Sequence, residues 1–215
     1  MKLCVPFSIA AAALALTGCK SSGDIVVQEG VGITALRSAC PAVGVPAYTG
    51  DITLFSPENA RTAEAIDVTA SMTNVRMQCN ETGDQVYATA TFDVFGQRRD
   101  TRGARDVQLP YFSTVVRAGS SVVAKRVGTV TLRFADGEAR AQTSGTAGAY
   151  IDRAEATLPD EIRQRITRPR RAGDPDAAID PLAQPEVRAA LDRASFELLV
   201  GFQLAQDQLA YNATR

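Results

Sequence analysis

Few residues in this 215-residue chain have types and spacings suited to chemistry, and one type is missing altogether. The chain has no histidine. Ser-His-Asp catalysis, Cys-His catalysis and imidazole-bound zinc are therefore excluded, because no other side chain titrates near neutrality without a large perturbation. A Ser-Lys dyad is the hydrolytic option that remains. Lys125 lies between Ala124 and Arg126 in a segment that reads as strand, and neither an S-x-x-K run nor a G-x-S-x-G elbow accompanies it. Glu155 and Asp160 are carboxylates of the kind that cleave glycosidic bonds, but sequence fixes neither their separation nor a pocket. Asp174, Asp176 and Asp180 have the look of a calcium loop. Ile179 and Pro185 stand where such a loop needs its glycine and its bidentate glutamate, so an ordinary solvated turn is expected. No catalytic residue, metal site or cofactor is expected, and the chain reads as non-enzymatic.

The cations, apart from Lys2, Lys20 and Lys125, are all arginines. Arg98, Arg99, Arg102 and Arg105 fall in one predicted loop. Arg163, Arg165, Arg168, Arg170 and Arg171 fall at the end of a predicted helix and are the candidate anion-binding residues. Arginine grips phosphate bidentately, so either cluster could meet a lipid headgroup or an acidic partner. The plainer reading is a solvated face: Asp100 and Asp106 interrupt the first cluster, and cations are favourable near a helix C-terminus in any case. A formal net charge of −1 argues against nucleic acid as a partner.

Residues 1–18 read as a secretory leader. Lys2 supplies its charge, and Val5 to Leu16 is an apolar run shorter than the roughly 20 residues needed to span a bilayer. Leu16-Thr17-Gly18-Cys19 resembles a bacterial lipobox. The resemblance implies cleavage before Cys19 and acylation of its thiol and of the new amine. Residues 19–31 then form a lipidated tether. One acyl chain holds a protein to a bilayer marginally, and two or more hold it stably. By the same resemblance, Lys20 after the cysteine favours the outer membrane, periplasmic face, over the inner membrane. Cys40 and Cys79 remain, and in an oxidising compartment two cysteines are most simply one disulfide. Closing a loop of about 40 residues stabilises the fold by roughly 4 kcal/mol through chain entropy.

The elements that must position these residues read mainly as strands. Ile52 to Phe55 is a short strand in a Pro- and Gly-rich region. Ile66, Val68, Ala70 and Met72 alternate onto one face, and Val75, Met77 and Cys79 continue on the opposite parity, so a bulge is expected near Thr73-Asn74. Val86, Ala88, Ala90, Phe92 and Val94 form the return strand of a hairpin. Val107 to Val115 begins a third long strand, with Pro110 suggesting an edge or bulge. After a turn at Ala118-Gly119-Ser120 a further run reaches Phe134 and changes parity near Gly128. Asp136-Gly137 signals a two-residue hairpin. Pro159-Asp160-Glu161 starts a helix carrying Ile162 and Ile166, and a second helix runs from about Pro185 to Ala194. An apolar strand from Ser195 to Leu204 and a closing helical turn from Gln206 follow. Tyr111, Phe112, Phe202 and Tyr211 read as core and closing contacts. The expected fold is an antiparallel Ig-like β-sandwich over residues 32–215, with a short two-helix insertion at about 159–194 before the last strand.

Pro110-Tyr111-Phe112, Ala124-Lys125-Arg126-Val127 and Val200-Gly201-Phe202-Gln203-Leu204 with Asp207-Gln208-Leu209-Ala210-Tyr211-Asn212 together resemble a family of proteobacterial envelope lipoproteins. The likeness covers most of the chain from Cys40, although the polar helical segment from Pro159 to Ala194 is longer than that pattern. It implies a compartment rather than a mechanism, and it singles out Lys125, Arg126, Gln203 and Gln208 for shared chemistry. The expected function is a lipid-anchored, periplasm-facing binding or assembly module for an envelope protein. Binding of an anionic glycolipid or phospholipid through the arginines is the alternative.

Overall fold

The computed structural model describes residues 38–214, apart from residues 171, 172 and 177. The leader, Cys19, the tether and Arg171 lie outside the described residues. The described chain is mainly β. Its strands are β1 (Ala42–Gly44), β2 (Asp51–Phe55), β3 (Ile66–Asn80), β4 (Gln85–Arg98), β5 (Arg105–Arg117), β6 (Ser121–Phe134), β7 (Arg140–Asp152) and β8 (Phe196–Phe202). They form two four-stranded sheets, ordered β1-β8-β5-β6 and β2-β3-β4-β7. Every pairing is antiparallel except that of β1 with β8, so the first sheet is mixed.

β4 shows most simply why the residues fold this way. Val86, Ala88, Ala90, Phe92 and Val94 alternate with polar neighbours, and each is at most 1% exposed. They meet Val107, Leu109, Leu132, Leu198 and Val200 of the other sheet in one core cluster. Full burial of a Val, Leu or Phe side chain contributes about 1.5–3 kcal/mol, so these strands hold the two sheets together. The bulge in β3 lies between Thr73 and Arg76, where Asn74 takes a left-handed φ of 52°. Asn tolerates that region better than most residues, and its amide also donates to Asp93 at 2.7 Å. Cys40 and Cys79 are joined as a disulfide, tying the approach to β1 to the end of β3.

Three local expectations need correcting. The parity change expected near Gly128 lies instead between Val122 and Ala124, where the register of β6 on β5 shifts. The turn at Asp136-Gly137 exists, with Gly137 at φ 80°, but the strands it joins are not a hairpin: β6 pairs with β5 and β7 with β4. Arg98 of β4 holds the corner where the chain changes sheets, donating to the carbonyls of Ala135 and Glu138. Pro110 lies in a central strand, between β8 and β6, rather than at an edge. It is tolerated because β8 ends one residue earlier in the ladder: Tyr111 pairs with Phe202, and the Pro110 carbonyl then accepts from the Gln203 N–H at 2.9 Å. The missing N–H of proline therefore points past the end of β8. β1 was not expected, being three residues between prolines and too short for any period.

Among the described residues four α-helices complete the fold: α1 (Arg153–Ala156), α2 (Asp160–Thr167), α3 (Pro185–Arg193) and α4 (Gln206–Thr214). α2 buries Ile166, and α3 buries Val187 and Ala190. α1 was not expected; it is capped by Asp152, whose side chain accepts from the Ala154 N–H. α4 docks on β2 through Asn212, whose amide donates to the carbonyls of Tyr48 and Asp51 at 2.8 Å each, and through Tyr211, edge-on to Phe55 at 5.1 Å.

Candidate functional site

The first arginine cluster is consumed internally. Arg98 is 2% exposed, and its guanidinium donates to the carbonyls of Glu138 (2.8 Å), Gly103 (2.8 Å), Thr101 (2.7 Å) and Ala135 (2.8 Å). Arg99 donates to the carbonyls of Ala63 and Glu64. Arg102 pairs with Asp100, holding that carboxyl well below the usual range. Arg105 grips Asp67 through two bonds, at 2.8 and 2.6 Å. These residues position a loop and a corner; sequence reasoning missed Arg98, which follows β4 parity and so faces the core.

Of the candidate anion-binding residues, Arg165, Arg168 and Arg170 converge on a cavity of about 360 Å³, together with Glu161 and Asp176. Arg163 does not join them and pairs with Asp160 at 2.6 Å. Arg165 is paired with Glu186 at 3.1 Å, and Arg168 with Asp176 at 3.7 Å. Arg170 is buried, donates to the Ile179 carbonyl, and leaves its Nε without a partner. Asp174 and Asp176 lie by Arg168, and Asp180 caps a turn by accepting from the Leu182 N–H. Cys40, Cys79 and Glu81 cluster, but both thiols are spent in the disulfide, so they offer no metal ligands.

The second place where side chains converge is the seam between β6 and β7. Each is an edge strand of its own sheet, so each presents unpaired backbone N–H and C=O groups to the gap. Tyr111 wedges the seam. Its ring packs edge-on to Phe92 at 5.0 Å, and its hydroxyl donates to the Thr146 carbonyl at 3.0 Å. Gly128 makes room for it, since a Cβ there would lie 2.7 Å from the Tyr111 ring. Below this wedge the sheets do not close, because the facing residues Ala124, Gly128, Ala147 and Ala149 are small.

The result is a groove of about 500 Å³, floored by Val115, Ala147 and Leu198 and rimmed by Lys125, Val127, Tyr87 and Tyr150. The two rim tyrosines stack at 4.6 Å. Val122, Val123 and Val127 of β6 are 64%, 56% and 61% exposed, an unusual apolar display for an edge strand. Alternate residues of a strand share a face, so Arg126, in step with buried Val130 and Leu132, projects on the core side of β6, and Lys125 on the outer side. Lys125 lies 5.1 Å from the Phe112 ring. Neither cation has a carboxylate partner among the described residues, and no carboxylate lines the groove.

Thr114 stands opposite Lys125, and Ser113 opposite Arg126. Glu155 is bound to Arg117 at 3.2 Å, and Asp160 to Arg163. Gln208 is a helix cap, accepting from the Ala205 N–H at 2.9 Å. Gln203 keeps a buried Oε1 without a partner. The segments Pro110–Phe112, Ala124–Val127 and Val200–Phe202 are neighbours across three adjacent strands: Phe112 pairs with both Val127 and Gly201. No described helix is long and apolar enough to cross a membrane. Comparison of the chain with protein-family models, with curated proteins and with solved structures finds no match in any of the three.

Proposed function

We propose that this chain is a lipid-anchored protein of the bacterial envelope, held by an acylated Cys19 at the periplasmic face of the outer membrane. Its described part acts as a non-enzymatic binding or assembly module for another envelope protein. We read the two sheets as an Ig-like β-sandwich left open along one side. The observation that carries the function is that open side: two unpaired strand edges flank an apolar floor, with two cations that have no carboxylate partner among the described residues on one wall. Strand edges of this kind recruit extended segments through main-chain hydrogen bonds.

A photo-crosslinking residue at Val127 and, separately, at Tyr150 tests this in intact envelopes, with Thr91 on the outer face of β4 as control. The reading requires one and the same protein adduct from both walls and none from Thr91. Absence of adducts from both walls rejects it. Mass spectrometry of the N-terminal peptide tests the anchor: an unmodified Cys19 rejects that part.

A second reading, binding of an anionic glycolipid or phospholipid, is favoured by the unpartnered Nε of Arg170 beside the cavity of Arg165 and Arg168. It requires that Arg168→Gln weaken association with anionic vesicles; unchanged association removes it.

A further inference from the structure

We propose that the occupant of the β6–β7 seam is an extended partner segment with two consecutive acidic residues flanked by apolar ones. This rests on the docking function above and adds its recognition grammar. The argument starts from strand geometry. Adjacent residues of a strand point to opposite faces, and directly paired residues share a face. Arg126 projects on the core side of β6 and Lys125 on the outer side. A strand laid along β6 therefore meets both cations only if two neighbouring positions are acidic, one on each of its own faces.

The flanking positions are set by the same register. Ala124 and Gly128 lie on the core side, two residues either way from Arg126, and are small; large apolar side chains opposite them reach the floor of Val115 and Leu198. Val127, on the outer side and 61% exposed, calls for an apolar neighbour. Read antiparallel to β6, the segment is apolar, apolar, acidic, acidic, apolar. An occupant without backbone amides, such as an acyl chain, would leave the strand edges unpaired. A second copy of this chain pairing β6 to β6 about residues 125 and 126 would set cations against cations, and like charges in opposite positions are destabilising.

The test uses the full chain and the synthetic heptapeptide Thr-Leu-Val-Glu-Glu-Leu-Thr, fluorescently labelled, with a Lys-Lys version in place of Glu-Glu as control. Anisotropy titration is expected to give binding about tenfold or more tighter for the Glu-Glu peptide, weakening as salt rises. The double variant Lys125→Glu/Arg126→Glu, whose melting temperature is checked against the parent, is expected to invert the preference. Equal affinities for the two peptides, no saturable binding of the Glu-Glu peptide, or an unchanged preference in the double variant each overturn the inference. So does a shift to dimer in sedimentation velocity that Lys125→Glu strengthens, since that identifies a second copy as the occupant. Adducts from Val127 and Tyr150 together with indifferent peptides mean that the grammar is wrong and the docking function stands. Absence of both means that neither stands.

Discussion

Replacing Arg98 by methionine is the sharpest perturbation of the fold. Methionine keeps most of the aliphatic stem against Phe134, whose ring lies 5.3 Å from the guanidinium, and removes every donor. Four backbone carbonyls then lose this donor: those of Thr101 and Ala135 keep the N–H groups of Gly137 and Glu138, while those of Gly103 and Glu138 are left without one. A buried acceptor left unsatisfied costs about 1–3 kcal/mol. Two offsets reduce the sum: the buried guanidinium no longer has to be desolvated, and loop carbonyls near the surface recover water. A net loss of about 2–3 kcal/mol follows. In a chain of this size that lowers the melting temperature by about 5–10 °C. Urea unfolding with the disulfide intact should show a lower midpoint at unchanged slope. Arg98→Lys should recover little, because one ammonium on a flexible stem cannot span four carbonyls arranged for a planar fork. Limited proteolysis should also open the 99–104 loop and the 135–138 corner together. A stability within about 1 kcal/mol of the parent would refute the claim that Arg98 pins the corner.

Three further outcomes are expected. Cys40→Ser/Cys79→Ser should lose roughly 4 kcal/mol in denaturant unfolding by loop-closure entropy; a loss under about 1 kcal/mol would show that the cross-link constrains little. Gly128→Val should collide with the Tyr111 ring, costing about 1–3 kcal/mol, and should narrow the seam, read as weaker binding of the Glu-Glu peptide. The docking of α4 should weaken in acid. The Arg61 side chain holds the Asp207 carboxyl below its usual range, so this contribution is full above the ordinary aspartate pKa and is lost as pH falls through the lowered folded-state value. Arg61→Gln should flatten the acid dependence of α4 amide exchange, and an unchanged profile would count against the pair.

The strands were legible where one residue's environment is dictated by its own sequence neighbours. β4 alternates strictly and is buried on that alternation, and the β3 bulge announced itself as a change of parity between Met72 and Val75. Asp136-Gly137 misled because turn chemistry is local while the choice of sheet is not. The corner is held by Arg98, forty residues before Glu138 in the chain. The same distance problem hid the role of the first arginine cluster: its carbonyl acceptors carry no side-chain signal in sequence. The seam was illegible for a related reason. Ala124, Gly128, Ala147 and Ala149 look like weak strand residues, and only the pairing of β5 with β6 and of β4 with β7 shows that they face one another across a gap. Glycine within a strand was the available clue, since it marks close approach, and Gly128 marks the approach of Tyr111.

Amide hydrogen exchange tests the central claim most directly, comparing the full chain in intact outer-membrane preparations with the purified chain. The account predicts added protection confined to residues 124–128 of β6 and 146–150 of β7, with the outer face of β4 unchanged. Identical exchange at both edges in the two preparations would contradict it.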